Sequence, residues 1–162
     1  MRIIGIDPGT AIVGYAILEE NGGKTSLIDF GTIRTQKGLQ NSLRLNQIRQ
    51  DIETLIVKFK PQMASVEKLF FQKNIKTAMS VSEARGVIIE KLSEKGIDLS
   101  EYTPLEIKTA VCGNGKADKK MVQQMIKIIF GLREVPKPDD AADAIAAALC
   151  LSNSYKLQSK TR

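Results

Sequence analysis

Three places in this sequence hold carboxylates where apolar surroundings make them costly. Asp7 closes the run Ile3-Ile4-Gly5-Ile6 and is followed by Pro8-Gly9-Thr10. Glu67 closes Met63-Ala64-Ser65-Val66, and Asp139, Asp140 and Asp143 open a stretch that continues Ala144-Ile145-Ala146-Ala147-Ala148. Removing a carboxylate from water is expensive unless something positive meets it. Each position also has an ordinary role. Asp7 can start a turn, its side chain satisfied by the amides of Gly9 and Thr10. Glu67 can face solvent at a strand exit. Acids in a first helical turn suit capping and the helix dipole. Capping accounts well for Asp139 and less well for Asp143, which lies deeper, three residues from Asp140 and on the same side of the helix.

If Asp7, Glu67, Asp140 and Asp143 meet, they cannot all stay charged without a cation, because like charges raise one another's pKa. The chain has no histidine, so imidazole zinc sites and Ser-His or Cys-His catalysis are excluded. Oxygen-only ligands select hard ions such as Mg²⁺, with Mn²⁺ as a substitute. Two such ions, about 4 Å apart, would activate a water and stabilise a leaving oxygen at phosphorus. Four carboxylates and two divalent ions also balance in charge.

The elements that must position these acids follow from periodicity. Residues 2–7 predict a short buried strand. Residues 12–20 and 25–35 are β-rich and separated by Asn21-Gly22-Gly23, a strong hairpin signal. A helix is expected over 39–59, with Leu45, Ile48, Ile52, Leu55, Ile56 and Phe59 at helical spacing and Pro61 as its stop. Residues 63–67 make a fourth strand. A helix over 75–95 carries Val81, Ala84, Ile88 and Leu92 on one face and ends at Gly96. A fifth strand fits 97–103, and Pro104 suits the first turn of a short helix. Further helices are expected over 118–130 and from Pro138 to about Ser154. The order is an α/β pattern: a mixed five-stranded sheet, antiparallel in its first three strands and then parallel, flanked by helices. Residues 1–154 read as one domain, with no repeat or linker, and residues 155–162 as a basic, frayed tail.

The chain of 162 residues carries 24 Lys and Arg against 18 Asp and Glu, a net charge of +6. The surplus is concentrated. Residues 104–137 hold Lys108, Lys116, Lys119, Lys120, Lys127, Arg133 and Lys137 against Glu106, Asp118 and Glu134. Such a run is by default a solvated face, but beside a candidate acidic site it suits a phosphate-binding surface. Gly113-Asn114-Gly115-Lys116 is not a P-loop, since Ala117 stands where Ser or Thr is needed and Ala110 where a glycine is. The two cysteines, Cys112 and Cys150, form no CxxC pair and read as small core residues. No signal-peptide pattern opens the chain, and the apolar stretch 144–151 is too short to span a bilayer. The expectation is a cytoplasmic protein without membrane contact.

In their order and spacing, Gly5-Ile6-Asp7-Pro8-Gly9-Thr10 with Gly14-Tyr15, Val66-Glu67-Lys68-Leu69-Phe70, Ala84-Arg85-Gly86-Val87 and Asp140-Ala141-Ala142-Asp143-Ala144 resemble the motifs of RuvC-type Holliday-junction resolvases. The resemblance runs from the N-terminus to about Ser154. It implies an RNase H-like fold, a homodimer, a requirement for Mg²⁺ or Mn²⁺, and paired symmetric nicks on opposing strands of a four-way DNA junction. It places the catalytic and metal-binding acids at Asp7, Glu67, Asp140 and Asp143, with Asp139 as a cap. It sets Phe70 against DNA bases at the crossover and matches the family's basic residues to Lys108 and Lys119. Phe71 and Lys73 extend that DNA-binding set from the aromatic segment, where stacking is worth about 1–3 kcal/mol per base. Lys116 and Lys120 extend it from the basic stretch. The helix over 75–95, including Arg85-Gly86, is expected to contribute to the dimer surface. A branch-migration motor of the same pathway is a candidate partner.

Other classes remain to be weighed. A nucleotide-binding domain of the actin and sugar-kinase type also opens with an Asp-x-Gly turn, but it pairs two such domains and leaves the Asp140/Asp143 helix unexplained. An RNase H-like nuclease acting on RNA or other branched DNA would use the same metal chemistry. A junction-binding module without catalysis would not need all four acids.

Overall fold

Alternation along the strands decides which acids can meet. The computed structural model describes residues 1–68 and 75–160. Its strands are β1 (Arg2–Asp7), β2 (Ile12–Asn21), β3 (Lys24–Arg34), β4 (Met63–Glu67) and β5 (Asp98–Tyr102). Its helices are α1 (Asn41–Phe59), α2 (Ile75–Glu94), α3 (Pro104–Cys112), α4 (Lys119–Phe130) and α5 (Asp139–Lys160). The sheet order is β3-β2-β1-β4-β5. β1 pairs antiparallel with β2, and β2 with β3, whereas β1–β4 and β4–β5 are parallel. The mixed sheet expected from the sequence is therefore present. The β2–β3 turn is the expected one, with Gly22 and Gly23 at φ of +58° and +87°, a left-handed pair that glycine adopts without a Cβ penalty.

The sheet is covered on both faces. Ile4, Ile6, Val13, Ala64 and Val66 pack with Ile48, Ile52, Ala84, Ile88 and Leu92 of α1 and α2. Ile3, Ala16 and Leu18 pack on the other face with Ile107 and Val111 of α3, Val122 and Ile126 of α4, and the alanines of α5. With a side-chain period of two, Asp7 shares a face with Ile3 and Gly5, and Glu67 with Met63 and Ser65. Both acids thus lie on the α5 face. The parallel register Ile6↔Val66 puts them at matching C-terminal ends of adjacent strands.

Two glycines let α5 lie against the sheet. A Cβ at Gly5 would stand 2.2 Å from the Ala144 carbonyl oxygen, and one at Gly14 would stand 1.9 Å from that of Asp140. Gly14 is the register partner of Asp7, so the start of α5 is seated beside Asp7 and the helix runs back along β1 from there.

Some element ends differ from expectation. The first helix begins at Asn41 rather than 39, because Gly38 at φ +81° and the bond from Leu39 N to Gln36 O hold that segment in a turn. Asp118 is the N-cap of α4 and accepts from Met121 N. The largest correction concerns the last helix, which continues past Ser154 to Lys160. Nothing in 155–160 breaks a helix, and Lys156 anchors this part to the hairpin through Glu20 Oε2 at 3.0 Å. Among the described residues no helix is long and apolar enough to cross a membrane.

Candidate active site

At the C-terminal ends of β1 and β4, Asp7 and Glu67 both feel the charge of Asp143, and Asp7 feels that of Asp140 as well. Burial raises the Asp7 carboxyl well above the usual range, and repulsion from Asp143, Glu67 and Asp140 raises it further against the opposing pull of Lys119. Glu67 is pushed up to about 7, first by burial and then by Asp143, against Lys108 and Lys119. Asp143 is also raised by burial, though its ion pair with Lys119 offsets part of the rise. These are the responses of carboxylates held together without enough positive charge. Charge interactions link Asp7 on β1 to the other three acids singled out in the sequence, Glu67 on β4 and Asp140 and Asp143 on α5.

Two lysines face that cluster. The Lys119 Nζ lies 3.1 Å from Asp143 Oδ2 and 3.3 Å from Asp139 Oδ2. Burial disfavours its charge, but the pairing with Asp143 and Asp139 outweighs this and raises its pKa. The Asp118 cap puts Lys119 at the first residue of α4, aimed at the first turn of α5. Lys108 comes from α3, whose start is set by a capping box: Thr103 Oγ1 accepts from Glu106 N, and the Glu106 carboxylate accepts from Thr103 N. Together with Glu67 and Asp143 the two lysines line a cleft of about 220 Å³ with a wall of Pro104, Ile107, Val122 and Ala146. Asp7 and Asp140 do not belong to that lining.

Asp139 differs from its expected role as a cap. Its carboxylate accepts from Gln123 Nε2 at 2.9 Å and pairs with Lys119, so it ties α5 to α4. These partners hold its pKa below the usual range. Lys116 and Lys120 are exposed and do not line the cleft. Phe70, Phe71 and Lys73 lie outside the described residues.

Two features were not read from the sequence. The apolar wall was one, although the Thr103-Pro104-Leu105-Glu106 capping signature fixes the start of α3 and so places Pro104 and Ile107. The other is the contact of Arg85 with the site: its Nε donates to the Glu67 carbonyl at 3.3 Å and its guanidinium pairs with Glu101. Its side chain turns inward rather than outward.

The donor set fits a hard divalent cation: oxygen atoms only, crowded and short of positive charge. Among the described residues no three acidic side chains stand close enough together, as they lie, to hold one ion. In this arrangement Lys119 supplies the positive charge at Asp143.

Comparison with known proteins bears on all of this. Residues 3–151 match the family described as crossover junction endodeoxyribonuclease RuvC. A protein of that name from Halothermothrix orenii is 49% identical over 160 residues, covering 99% of this chain and 97% of its own. Thermus thermophilus RuvC superposes with a TM-score of 0.88 at 30% identity, covering 98% of this chain and 97% of that one. The same protein in complex with Holliday junction substrate gives 0.87 at 27% identity, with 97% and 96% covered. A match spanning residues 3–151 takes in β1, β4 and most of α5, the elements that carry all four acids, and the chain belongs to the RuvC family of crossover junction endodeoxyribonucleases.

Proposed function

We propose that this protein is a structure-selective endonuclease that resolves Holliday junctions by paired nicks, one from each active site of a homodimer. The observation that carries this reading is the placement of Glu67 and Asp143 with Lys108 and Lys119 around one cleft, with the charge of Asp7 coupled to both of those acids. Asp7, Glu67, Asp140 and Asp143 are the residues that would hold Mg²⁺, or Mn²⁺ in its place. When bound, two such ions supply Lewis-acid activation of water and stabilise the leaving oxygen.

The chain's own residues do the rest. The raised pKa values of Asp7 and Glu67 are relieved by a cation, so ion binding and carboxylate ionisation support one another. Lys108 and Lys119 meet phosphate at the cleft, and Lys116 and Lys120 extend the basic surface outward, fixing register without reading sequence. The apolar wall excludes water from one side of the cleft and strengthens the charge interactions inside it. For the dimer we favour the outer face of α2, where Met79 is 75% exposed and a Cβ at Gly86 would meet nothing within 4 Å. Action in the cytoplasm accords with the two free thiols, Cys112 and Cys150.

The test is a cleavage assay on a synthetic four-way junction with a homologous core, beside linear duplex, an RNA–DNA hybrid and a fork. It is run with Mg²⁺, with Mn²⁺ and with EDTA. Symmetric paired nicks on the junction alone, abolished by EDTA, are the expected result. Preferential cutting of the hybrid or fork would keep the site and change the substrate. Tight junction binding with no cutting under either ion would overturn catalysis.

A further inference from the structure

The Glu67 carboxylate is served by cations on one face of the sheet, while its main chain is held from the other. Lys108 and Lys119 act on the carboxylate. Arg85 acts elsewhere. It projects from α2, which packs on the opposite face through Ala84, Ile88 and Leu92, and its Nε donates to the Glu67 carbonyl oxygen at 3.3 Å. The same guanidinium pairs with Glu101 of β5, a strand whose register sets Glu101 beside Val66 and Tyr102 beside Glu67. On the far side of the same peptide, Lys68 N donates to Tyr102 O at 2.8 Å. With the Arg85 side chain only 21% exposed, burial disfavours its charge, so the contacts to Glu67 and Glu101 operate largely shielded from solvent.

We propose that Arg85 is a positioning residue for Glu67: pinned by Glu101, it fixes the main chain at the end of β4 so that the carboxylate is presented to the acid cluster in the geometry that binds the metal. Glu67 is the last residue of its strand. Beyond it the bond from Lys68 N to Tyr102 O still ties the peptide to β5, but a small rotation there would swing the carboxylate away from Asp7 and Asp143. A planar guanidinium can hold a carbonyl and a carboxylate at once, whereas a lysine ammonium is a point charge without that fork. Partners of this supporting kind cost about 10–100-fold in metal affinity or activity when removed.

The proposal rests on the reading of the acid cluster as a metal-dependent nuclease site, so its test includes a measurement that needs no cleavage. Mn²⁺ binding is followed by electron paramagnetic resonance in the wild type, Arg85→Ala, Arg85→Lys, Glu67→Ala and Arg85→Ala/Glu67→Ala. Circular dichroism and thermal melting accompany each. Arg85→Ala is expected to weaken Mn²⁺ binding by about tenfold or more, with Arg85→Lys between it and the wild type. In the Glu67→Ala background, removing Arg85 should have no further effect, because a residue that acts through Glu67 has nothing left to position. In cleavage assays Arg85→Ala should need more Mn²⁺ for half-maximal rate while its junction dissociation constant stays near the wild-type value.

Wild-type Mn²⁺ affinity in Arg85→Ala overturns the proposal, and so does an equal loss of affinity with and without Glu67. If Arg85→Ala does not fold, Arg85→Lys decides between the same outcomes in the same two backgrounds. A wild-type protein that binds Mn²⁺ but cuts no junction overturns the functional reading alone, and the Mn²⁺ cycle still decides the role of Arg85.

Discussion

Lys119 stands between two demands at the residue scale. Its ammonium pairs with Asp143 and Asp139, yet a phosphate arriving in the cleft would compete for the same charge. Lys119→Ala should therefore weaken junction binding and reduce the slope of log affinity against log salt by about 1. An unchanged slope would mean that this lysine serves the protein and not the DNA. Asp7 makes the complementary case. Asp7→Asn keeps the shape and removes one charge from a crowded cluster. Junction binding should persist while cleavage falls by about a thousandfold or more, as expected from losing several kcal/mol of metal-dependent stabilisation. The metal-free variant should also melt at a higher temperature, since burial and three neighbouring acids oppose the Asp7 charge. Normal cutting by Asp7→Asn with Mg²⁺ present would refute the four-acid site.

At the scale of elements, the site depends on how closely α5 approaches the sheet. A Cβ at Gly14 would lie 1.9 Å from the Asp140 carbonyl oxygen, a backbone atom that only a shift of the helix can move. Gly14→Ala should cost about 1–3 kcal/mol of stability through overpacking. It should also lower cleavage by about a hundredfold, the scale expected for a 1 Å misplacement of catalytic groups. Stability loss with full cleavage would show that Asp140 and Asp143 tolerate displacement. The same seat shows what the sequence can and cannot tell. The strand ends bearing Asp7 and Glu67 were readable from short apolar runs, and the face bearing Asp140 and Asp143 from their spacing, because local periodicity carries both. Gly5 and Gly14 were visible as motif residues, but the helix that requires them lies more than a hundred positions along the chain. Arg85 sits in a recognisable stretch, expected through resemblance to contribute to the dimer surface, but helical spacing alone does not show its guanidinium reaching back to a strand end. The extension of α5 beyond Ser154 was missed for a similar reason: its anchor, Glu20, belongs to the β2–β3 hairpin.

For the molecule as a whole, the crowded acids tie stability to pH and to metal. The folded protein holds Glu67 protonated up to about 7, against an ordinary value of 4.5, and Asp7 and Asp143 move the same way. An acid whose pKa is raised on folding binds its proton more tightly in the native state, so stability falls as pH climbs from the unfolded to the folded value. For Glu67 that span corresponds to a loss on the order of 3 kcal/mol, complete above about pH 7. Elsewhere, hydrogen bonds to lysine or threonine hold Glu53, Glu94 and Glu106 below their ordinary value, so their contribution is present above about 4.5 and lost as pH drops below it. The two trends oppose each other below about pH 4.5, and above it only the losses continue, so the metal-free protein should be most stable at about pH 4.5 or just below. Mg²⁺ binds ionised carboxylates and stabilises only the folded chain, so the rise in melting temperature it produces should be much larger at pH 8 than at pH 5. Thermal melts across this range, with EDTA and with saturating Mg²⁺, measure both curves. A metal-free protein that grows steadily more stable up to pH 8 would show that the acids are not crowded in solution. An equal Mg²⁺ effect at both pH values would place the ion away from Asp7 and Glu67.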